Sequence, residues 1–200
     1  MASPTNFRVE CLIDGKRTKT LADILPKHGH VRVLLVGKAP TQVSVDAGHY
    51  FQGRQGRMFW NRLREHGLLT RRQEAFEDEA LLDHGYGMTD IVKRPCRYGE
   101  EPTDEEYRCG ADRILSLIPD QRPRVVCFVY KGVLDQVLKI RFAVREKAIY
   151  GFNPKAESLF GCRVFAFPMP GTPCTRAIAS KAMAELKAVV DAGPGPHPSE

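Results

Sequence analysis

A carboxylate, Asp90, lies inside a largely apolar run of the sequence, Gly87 to Val92 (GMTDIV). Burial of a charged group is costly unless the group is paired or functional. A desolvated carboxyl group also titrates outside its ordinary range, as the acids of functional sites often do. Asp90 is therefore the first candidate for a catalytic group. A structural acid, paired with Lys93, Arg94 or a loop amide, is the alternative interpretation.

Two other titratable residues precede Asp90 in the chain. Asp46 lies in a glycine-containing loop and is a second candidate anion, and His49 is a third candidate that either bonds a phosphate or a base or faces solvent. The segment that follows is rich in arginine: Arg54, Arg57, Arg62, Arg64, Arg71 and Arg72. These arginines predict phosphate contacts or a solvated helix face, and for Arg62 and Arg64 both interpretations stay open.

The sequence contains no pattern typical of a metal or cofactor site. Its six cysteines include no C-x-x-C pair, and several lie in apolar runs, so we expect reduced thiols. An iron–sulfur cluster needs four converging thiolates. Cys96 and Cys109 can supply two, and no N-terminal pair completes the set. Because no G-x-G-x-x-G or Walker motif is present either, we expect no metal and no other cofactor.

Apolar runs that alternate with helical patterns indicate how these residues are positioned. The runs predict four strands, at Val31 to Gly37, Gly87 to Val92, Arg124 to Tyr130 and Arg163 to Phe167. Helical spacing predicts helices at Met58 to Glu65, Gln73 to Leu82, Thr103 to Ile118, Lys131 to Ile140 and Thr175 to Val190. This alternation is typical of an α/β fold, a three-layer αβα sandwich around a central four-stranded, mainly parallel sheet. Ligands bind such sheets beyond the carboxyl ends of the strands, so we expect the site there.

The chain of 200 residues, 42% hydrophobic and 27% charged, is long enough for one buried core. We expect a single domain over residues 1–192, with residues 1–30 irregular, and a disordered tail over residues 193–200, where proline and glycine interrupt helix and strand. The apolar runs are strand-sized and no signal region is evident, so we expect a soluble cytoplasmic protein, associated with the nucleoid if the source is bacterial. The net charge of +6 favours an acidic polymer as partner.

The order of four motifs, GKAPT, RMFWNRL, MTDIVKRP and PMPGTPCTR, resembles the uracil-DNA glycosylase superfamily, particularly its mismatch-specific (thymine-DNA glycosylase-like) branch. The resemblance covers roughly Val31 to Val190. In that branch the first motif reads G-x-N-P-G, and its Asn holds the attacking water; Ala39 occupies this position here. The second motif, usually an Asn or His followed by Pro-Ser, reads Met169-Pro170-Gly171. Both of the usual polar residues are therefore absent.

The resemblance implies a monofunctional enzyme of DNA base-excision repair that hydrolyses the N-glycosidic bond of uracil after base flipping, in G:U mismatches and with a broader range that includes thymine or other modified bases. Bond breakage builds positive charge on the sugar, so an anion must be nearby, and Asp90 is expected to replace the motif-one Asn. The expected base-binding residues are Gly37, Lys38, Ala39, Phe51 and Met169. The expected DNA-binding residues are Gly171, Thr172, Pro173, Arg176 and Arg54.

Two other function classes compete with this interpretation. Loss of both polar motif residues also fits a non-catalytic protein that binds damaged or abasic DNA. A small-molecule hydrolase is a third class, but the sequence has no G-x-S-x-G elbow and no H-E-x-x-H helix. In both interpretations that involve DNA, we expect the partner to be uracil-containing or mismatched DNA, with no membrane and no obligate protein partner.

Overall fold

The computed structural model describes residues 6–71 and 75–192. The chain begins with a β-hairpin, β1 (Arg8–Ile13) and β2 (Lys16–Leu21), which forms its own antiparallel sheet. The other strands are β3 (Val33–Gly37), β4 (Tyr86–Asp90), β5 (Val125–Phe128), β6 (Gly151–Phe152) and β7 (Arg163–Ala166). The helices are α1 (Gln42–Ala47), α2 (Arg54–Glu65), α3 (Asp104–Gln121), α4 (Lys131–Phe142), α5 (Pro154–Phe160) and α6 (Arg176–Asp191).

The central sheet has the strand order β4-β3-β5-β7-β6. The first four of these strands are parallel, and β6 pairs with β7 in the antiparallel sense. Every residue of β3, β4 and β5 is buried, because a parallel sheet is covered on both faces. The carboxyl ends of the parallel strands meet at one edge, where Gly37 lies opposite Asp90.

Helices cover both faces of this sheet and complete three layers. Buried residues of α2 and α6 pack on one face, and those of α3, α4 and α5 pack on the other. The α3 helix begins with a capping box, in which the Thr103 and Glu106 side chains accept hydrogen bonds from each other's backbone N–H. This arrangement confirms the α/β fold and the layered sheet that the sequence predicts.

The structure differs from the prediction at several elements. The sequence predicts neither α1, which contains Asp46, nor α5. Within the described residues the central sheet has five strands and not four. The sequence does not predict β6, because a strand of two residues shows no periodicity. Residues 1–30 are not irregular throughout: the strands of the hairpin are largely exposed, so their polar sequence carries little apolar signal. In place of a helix near Gln73 to Leu82 the chain forms two short 3-10 turns, Glu77–Ala80 and Leu82–His84; residues 72–74 lie outside the described ranges.

The tail predicted at residues 193–200 also lies outside the described residues. None of the helices in the described ranges is long and apolar enough to cross a membrane.

Candidate active site

A cleft of about 580 Å³ opens at the carboxyl edge of the sheet. Its walls come from the segments after β3, β5 and β7, the end of β4 and the start of α2. Its lining includes Ala39, Thr41, Asp90, Tyr130, Pro170 and Arg54. The cleft therefore lies at the place where ligands bind open parallel sheets.

Asp90 lies in this cleft as the last residue of β4. Only 2% of its surface is exposed, and its Oδ2 atom has no hydrogen-bond partner in the part of the chain described. A Cβ atom on Gly37 would lie 2.1 Å from Asp90 Oδ1, so the glycine leaves the carboxyl group its space. A buried acceptor without a partner is unusual in a folded protein, and here it lines a cavity large enough to hold a ligand.

Lys93 and Arg94 would be the partners of Asp90 if it were a structural acid, but both are engaged elsewhere. Lys93 Nζ lies 2.7 Å from Asp23 Oδ1, and Arg94 pairs with Glu100 and Glu106 at 2.6 Å and 2.7 Å. The Asp90 carboxyl group thus has a charged neighbourhood but no direct ion pair within the described residues.

A cluster of charged residues, Asp23, Lys93 and Arg113, adjoins Asp90. Arg113 Nη1 lies 2.9 Å from Asp23 Oδ2, and the Thr89 hydroxyl donates to Asp23 Oδ1 at 2.5 Å. Arg113 also donates to the backbone carbonyl of Asp90. The cluster therefore ties the end of β4 to α3 and to the segment after the hairpin.

The pKa values of two neighbouring carboxyl groups, those of Asp90 and Asp23, are shifted in opposite directions. Burial raises the pKa of Asp90 to about 7, with Lys93 and Arg113 opposing the rise and Asp23 adding to it. Burial also acts to raise the pKa of Asp23, but Lys93 and Arg113 outweigh it and hold that pKa below its ordinary value. Asp23 is consequently a fixed anion, whereas Asp90 changes charge near neutral pH.

Phe51 forms an aromatic wall of the cleft and has a positive φ of 57°. Its ring centroid lies 5.0 Å from that of Phe59 and 6.0 Å from that of Trp60. A Cβ atom on Gly56 would lie 2.0 Å from the Phe51 carbonyl oxygen, so the start of α2 can pack against this strained residue only without a side chain at that position. The Phe51 ring thus contacts two rings of the core and lines the same cleft as Asp90.

The first motif follows β3 and lines the cleft through Ala39, Pro40 and Thr41. The Thr41 side chain caps α1 by accepting from Ser44 N. The Lys38 amine is already engaged within the protein, since Nζ donates to the Glu100 carbonyl at 2.9 Å and to Glu101 Oε2 at 3.1 Å.

The second motif lines the cleft and also an adjoining cavity of about 610 Å³. Gly171 lines both, whereas Met169, Thr172 and Lys38 line only the adjoining cavity. The loop is braced by the Thr172 hydroxyl, which donates to the Met169 carbonyl at 2.6 Å. Arg176 is the first residue of α6 and is exposed, and Pro173 is exposed next to this loop.

The other sequence candidates lie outside the cleft lining. Asp46 is exposed and accepts from the Gln42 side chain at 2.8 Å. His49 is buried, with Nδ1 2.9 Å from Asp78 Oδ1 and its ring stacked on Phe76 at 3.6 Å. Both therefore have local structural roles.

The arginine-rich segment divides in the same way. Arg54 is exposed and lines the cleft, whereas Arg64 pairs with Glu77 at 2.9 Å and Arg62 donates to the Pro168 carbonyl. Arg62 and Arg64 thus stabilise the protein's own surface, and Arg72 lies outside the described residues.

Several lining residues were not singled out from sequence. Tyr130 follows β5 and Tyr98 lies after β4, and both line the cleft and the adjoining cavity. The position of Tyr130 at the carboxyl end of a predicted strand, Arg124 to Tyr130, is a signal that sequence alone offers. Asp23 lies in a segment without periodicity and gave no such signal.

Groups of three or more His, Cys, Asp or Glu residues placed to hold a metal ion do not occur among the residues described. The cysteines are free thiols, with Cys96 buried and Cys109 exposed. The cleft lining supplies one carboxyl group, one guanidinium group, one amide side chain, hydroxyl groups and aromatic rings.

Comparison with known proteins agrees with this geometry. Residues 26–199 match the family model of the Uracil DNA glycosylase superfamily. A "G/U mismatch-specific uracil DNA glycosylase" of Schizosaccharomyces pombe (strain 972) is 28% identical over 135 residues, which are 66% of this chain and 41% of that relative. The aligned segment thus spans less than half the length of the relative. Because the family model covers most of this chain, and the motif order resembles the same group, the protein belongs to the uracil DNA glycosylase superfamily.

Proposed function

We propose that this protein is a monofunctional DNA glycosylase that releases uracil, including uracil in G:U mismatches, and that its range extends to thymine or other modified bases. The observation that carries the proposal is the buried Asp90 carboxyl group, whose Oδ2 atom is unpartnered in the described structure and lines a cleft beside the Phe51 ring. Family membership supports the glycosylase class, and the name of the yeast relative supports the mismatch substrate.

In the proposed reaction, a water oxygen bonds to C1′ of the deoxyribose while the C1′–N bond breaks and its electron pair leaves with the base. The ionised Asp90 carboxylate stabilises the positive charge that develops on the sugar and accepts a proton from the water. Asp90 thereby supplies what the motif-one Asn supplies in relatives, and Ala39 contributes only backbone geometry and space.

The remaining assignments concern the flipped base and its strand. The base stacks on Phe51, while the backbone of Gly37, Lys38 and Ala39 bonds its carbonyl groups and Met169 borders it from the second motif. Gly171, Thr172 and Pro173 enter the DNA stack, and Arg176 and Arg54 contact phosphates. Thr41, a small residue on the cleft wall, supports the broader substrate range.

We further propose that residues 1–192 form one domain that works on DNA in the cytoplasm.

The test is release of uracil from a synthetic duplex by the Asp90→Ala variant. We expect release to fall below detection while affinity for the duplex changes less than about threefold, because the alanine removes the anion and no phosphate contact. Asp46→Ala is the matched control, since that carboxyl group is exposed and outside the cleft lining. Unchanged release by Asp90→Ala would refute the assignment of the acid.

A second function, binding of damaged or abasic DNA without base release, is favoured by the replacement of both polar motif residues by Ala39 and Met169. A panel of duplexes containing uracil, mismatched thymine, xanthine or hypoxanthine separates the two. Binding without release on every substrate would select this second function.

A further inference from the structure

Tyr130 occupies a distinctive position at the carboxyl edge of the sheet. It lies between β5 and α4, immediately before the first residue of the helix, with extended backbone angles. Its half-buried ring lines both the cleft and the adjoining cavity, and its centroid lies 6.3 Å from that of Phe51. The ring also packs against the hydrophobic clusters on both faces of the sheet, which fixes its place beside the aromatic wall.

The hydroxyl group of Tyr130 is an available donor. Tyr50 and Tyr107, which are fully buried, donate their hydroxyl groups to the Ala22 carbonyl at 2.9 Å and to Glu101 Oε1 at 2.5 Å. Tyr130 makes no corresponding hydrogen bond to any described residue. Burial, followed by the charge of Asp90, raises the pKa of Tyr130 to about 12, so the hydroxyl group keeps its proton at neutral pH.

The cleft thus contains two unpaired groups of complementary chemistry. Asp90 Oδ2 accepts and, when ionised, carries negative charge, whereas the Tyr130 hydroxyl donates. Breakage of an N-glycosidic bond needs both, because positive charge develops on the sugar and negative charge on the departing base. A carboxylate alone serves only the sugar.

We propose that the Tyr130 hydroxyl donates a hydrogen bond to a carbonyl oxygen of the departing pyrimidine, the oxygen on which negative charge collects as the C1′–N bond breaks. This inference rests on the proposed glycosylase function. The electron pair of the broken bond leaves with the base, and Tyr130 retains its proton throughout. The residue is thus a second catalytic group, a neutral hydrogen-bond donor that acts on the base while Asp90 acts on the sugar.

The test compares single-turnover release of uracil and of 5-fluorouracil by the Tyr130→Phe variant. Loss of one such donor is expected to slow uracil release about 100-fold. Release of 5-fluorouracil is expected to slow less than about tenfold, because fluorine already stabilises the base anion. The ratio of the two rates is measured on one preparation, so a change in its folded fraction cancels.

Tyr150→Phe is the control, since Tyr150 lines neither the cleft nor the adjoining cavity, and its ratio is expected to match that of the parent. Equal slowing of both substrates by Tyr130→Phe would indicate a structural role and overturn the proposal, as would no slowing at all. If the parent protein releases neither base, the glycosylase function itself is overturned and the role of Tyr130 with it.

Discussion

At the scale of single residues, Gly37 and Asp90 work as a pair. They lie opposite each other where β3 and β4 end, and the carboxyl group occupies the space that a side chain at position 37 would take. The same absent side chain would lie 3.2 Å from Phe51 Cζ. A side chain at position 37 would therefore meet both the acid and the aromatic wall.

Gly37→Ala should damage the site directly. The added methyl group overlaps Asp90 Oδ1, and overpacking of a closed site costs about 1–3 kcal/mol. We expect uracil release to fall more than tenfold and the unfolding temperature to drop, as measured by calorimetry. Gly132→Ala, where a Cβ meets no atom within 4 Å, should not lower the unfolding temperature. An active, fully stable Gly37→Ala variant would show that the carboxyl group does not need this position.

Asp90→Asn should abolish uracil release and raise the free energy of unfolding. A group whose folded pKa of about 7 exceeds its ordinary value of 3.8 binds more protons in the folded than in the unfolded protein, so its contribution to stability is lost as pH rises through that range. The neutral amide avoids this loss, so the variant should gain about 4 kcal/mol at pH 8 and less than half of that at pH 5. Denaturant titration at both pH values measures the difference, and an equal gain at both would contradict the raised pKa. Uracil release should be lost at either pH.

At the scale of elements, the end of β4 is held by α3 and by the segment that follows the hairpin. Arg113, on α3, pairs with Asp23 and donates to the Asp90 carbonyl. Elements distant in sequence therefore fix the orientation of the strand end and the charge around its acid. Two of the three charges that act on Asp90, Asp23 and Arg113, come from other segments, so the pH dependence of the proposed reaction depends on how these segments pack.

Arg113→Leu should move the pH dependence of uracil release. If the ionised form of Asp90 is required, kcat/KM of the parent rises with pH through about 7. Arg113 lowers the pKa of Asp90, so its removal should shift the midpoint to higher pH. The pH profile of single-turnover release measures this shift. Arg108→Leu, on the same helix but exposed and paired with Glu105, should leave the midpoint in place, and a shift there instead would refute the role of Arg113.

At the scale of the whole molecule, the net charge of +6 fits a polyanionic substrate. Much of the positive charge is internally paired, as for Lys38, Arg64 and Arg94. Arg54 remains exposed on the wall of the cleft. Long-range attraction thus comes from the whole surface, whereas contact at the site depends on few residues.

Arg54→Ala should weaken binding to DNA of any sequence and reduce the salt dependence. Loss of one phosphate contact lowers the slope of log Kd against log salt concentration by about 1. Fluorescence anisotropy over a salt series gives this slope. Arg141→Ala removes an equal charge from the last turn of α4 and should leave the slope nearly unchanged; equal effects from both variants would leave only net charge as the cause.

The sequence predicts those strands, helix starts and site residues that leave a pattern among neighbouring residues. Buried parallel strands require continuous apolar runs, and the capping box at Thr103 and Glu106 marks the start of a helix. Asp90 is conspicuous because the run around it, GMTDIV, is largely apolar. The hairpin and β6 are missed because exposed or very short strands leave no such pattern.

The sequence by itself determined the layered α/β fold, the edge of the sheet where the site lies, and the candidate acid, because these follow from neighbours along the chain. Only the tertiary structure decided which groups surround that acid. Asp23, Arg113 and Tyr130 come from separate segments, and His49 finds its partner in Asp78. Partner choice and desolvation depend on which segments pack together, and no local pattern encodes them.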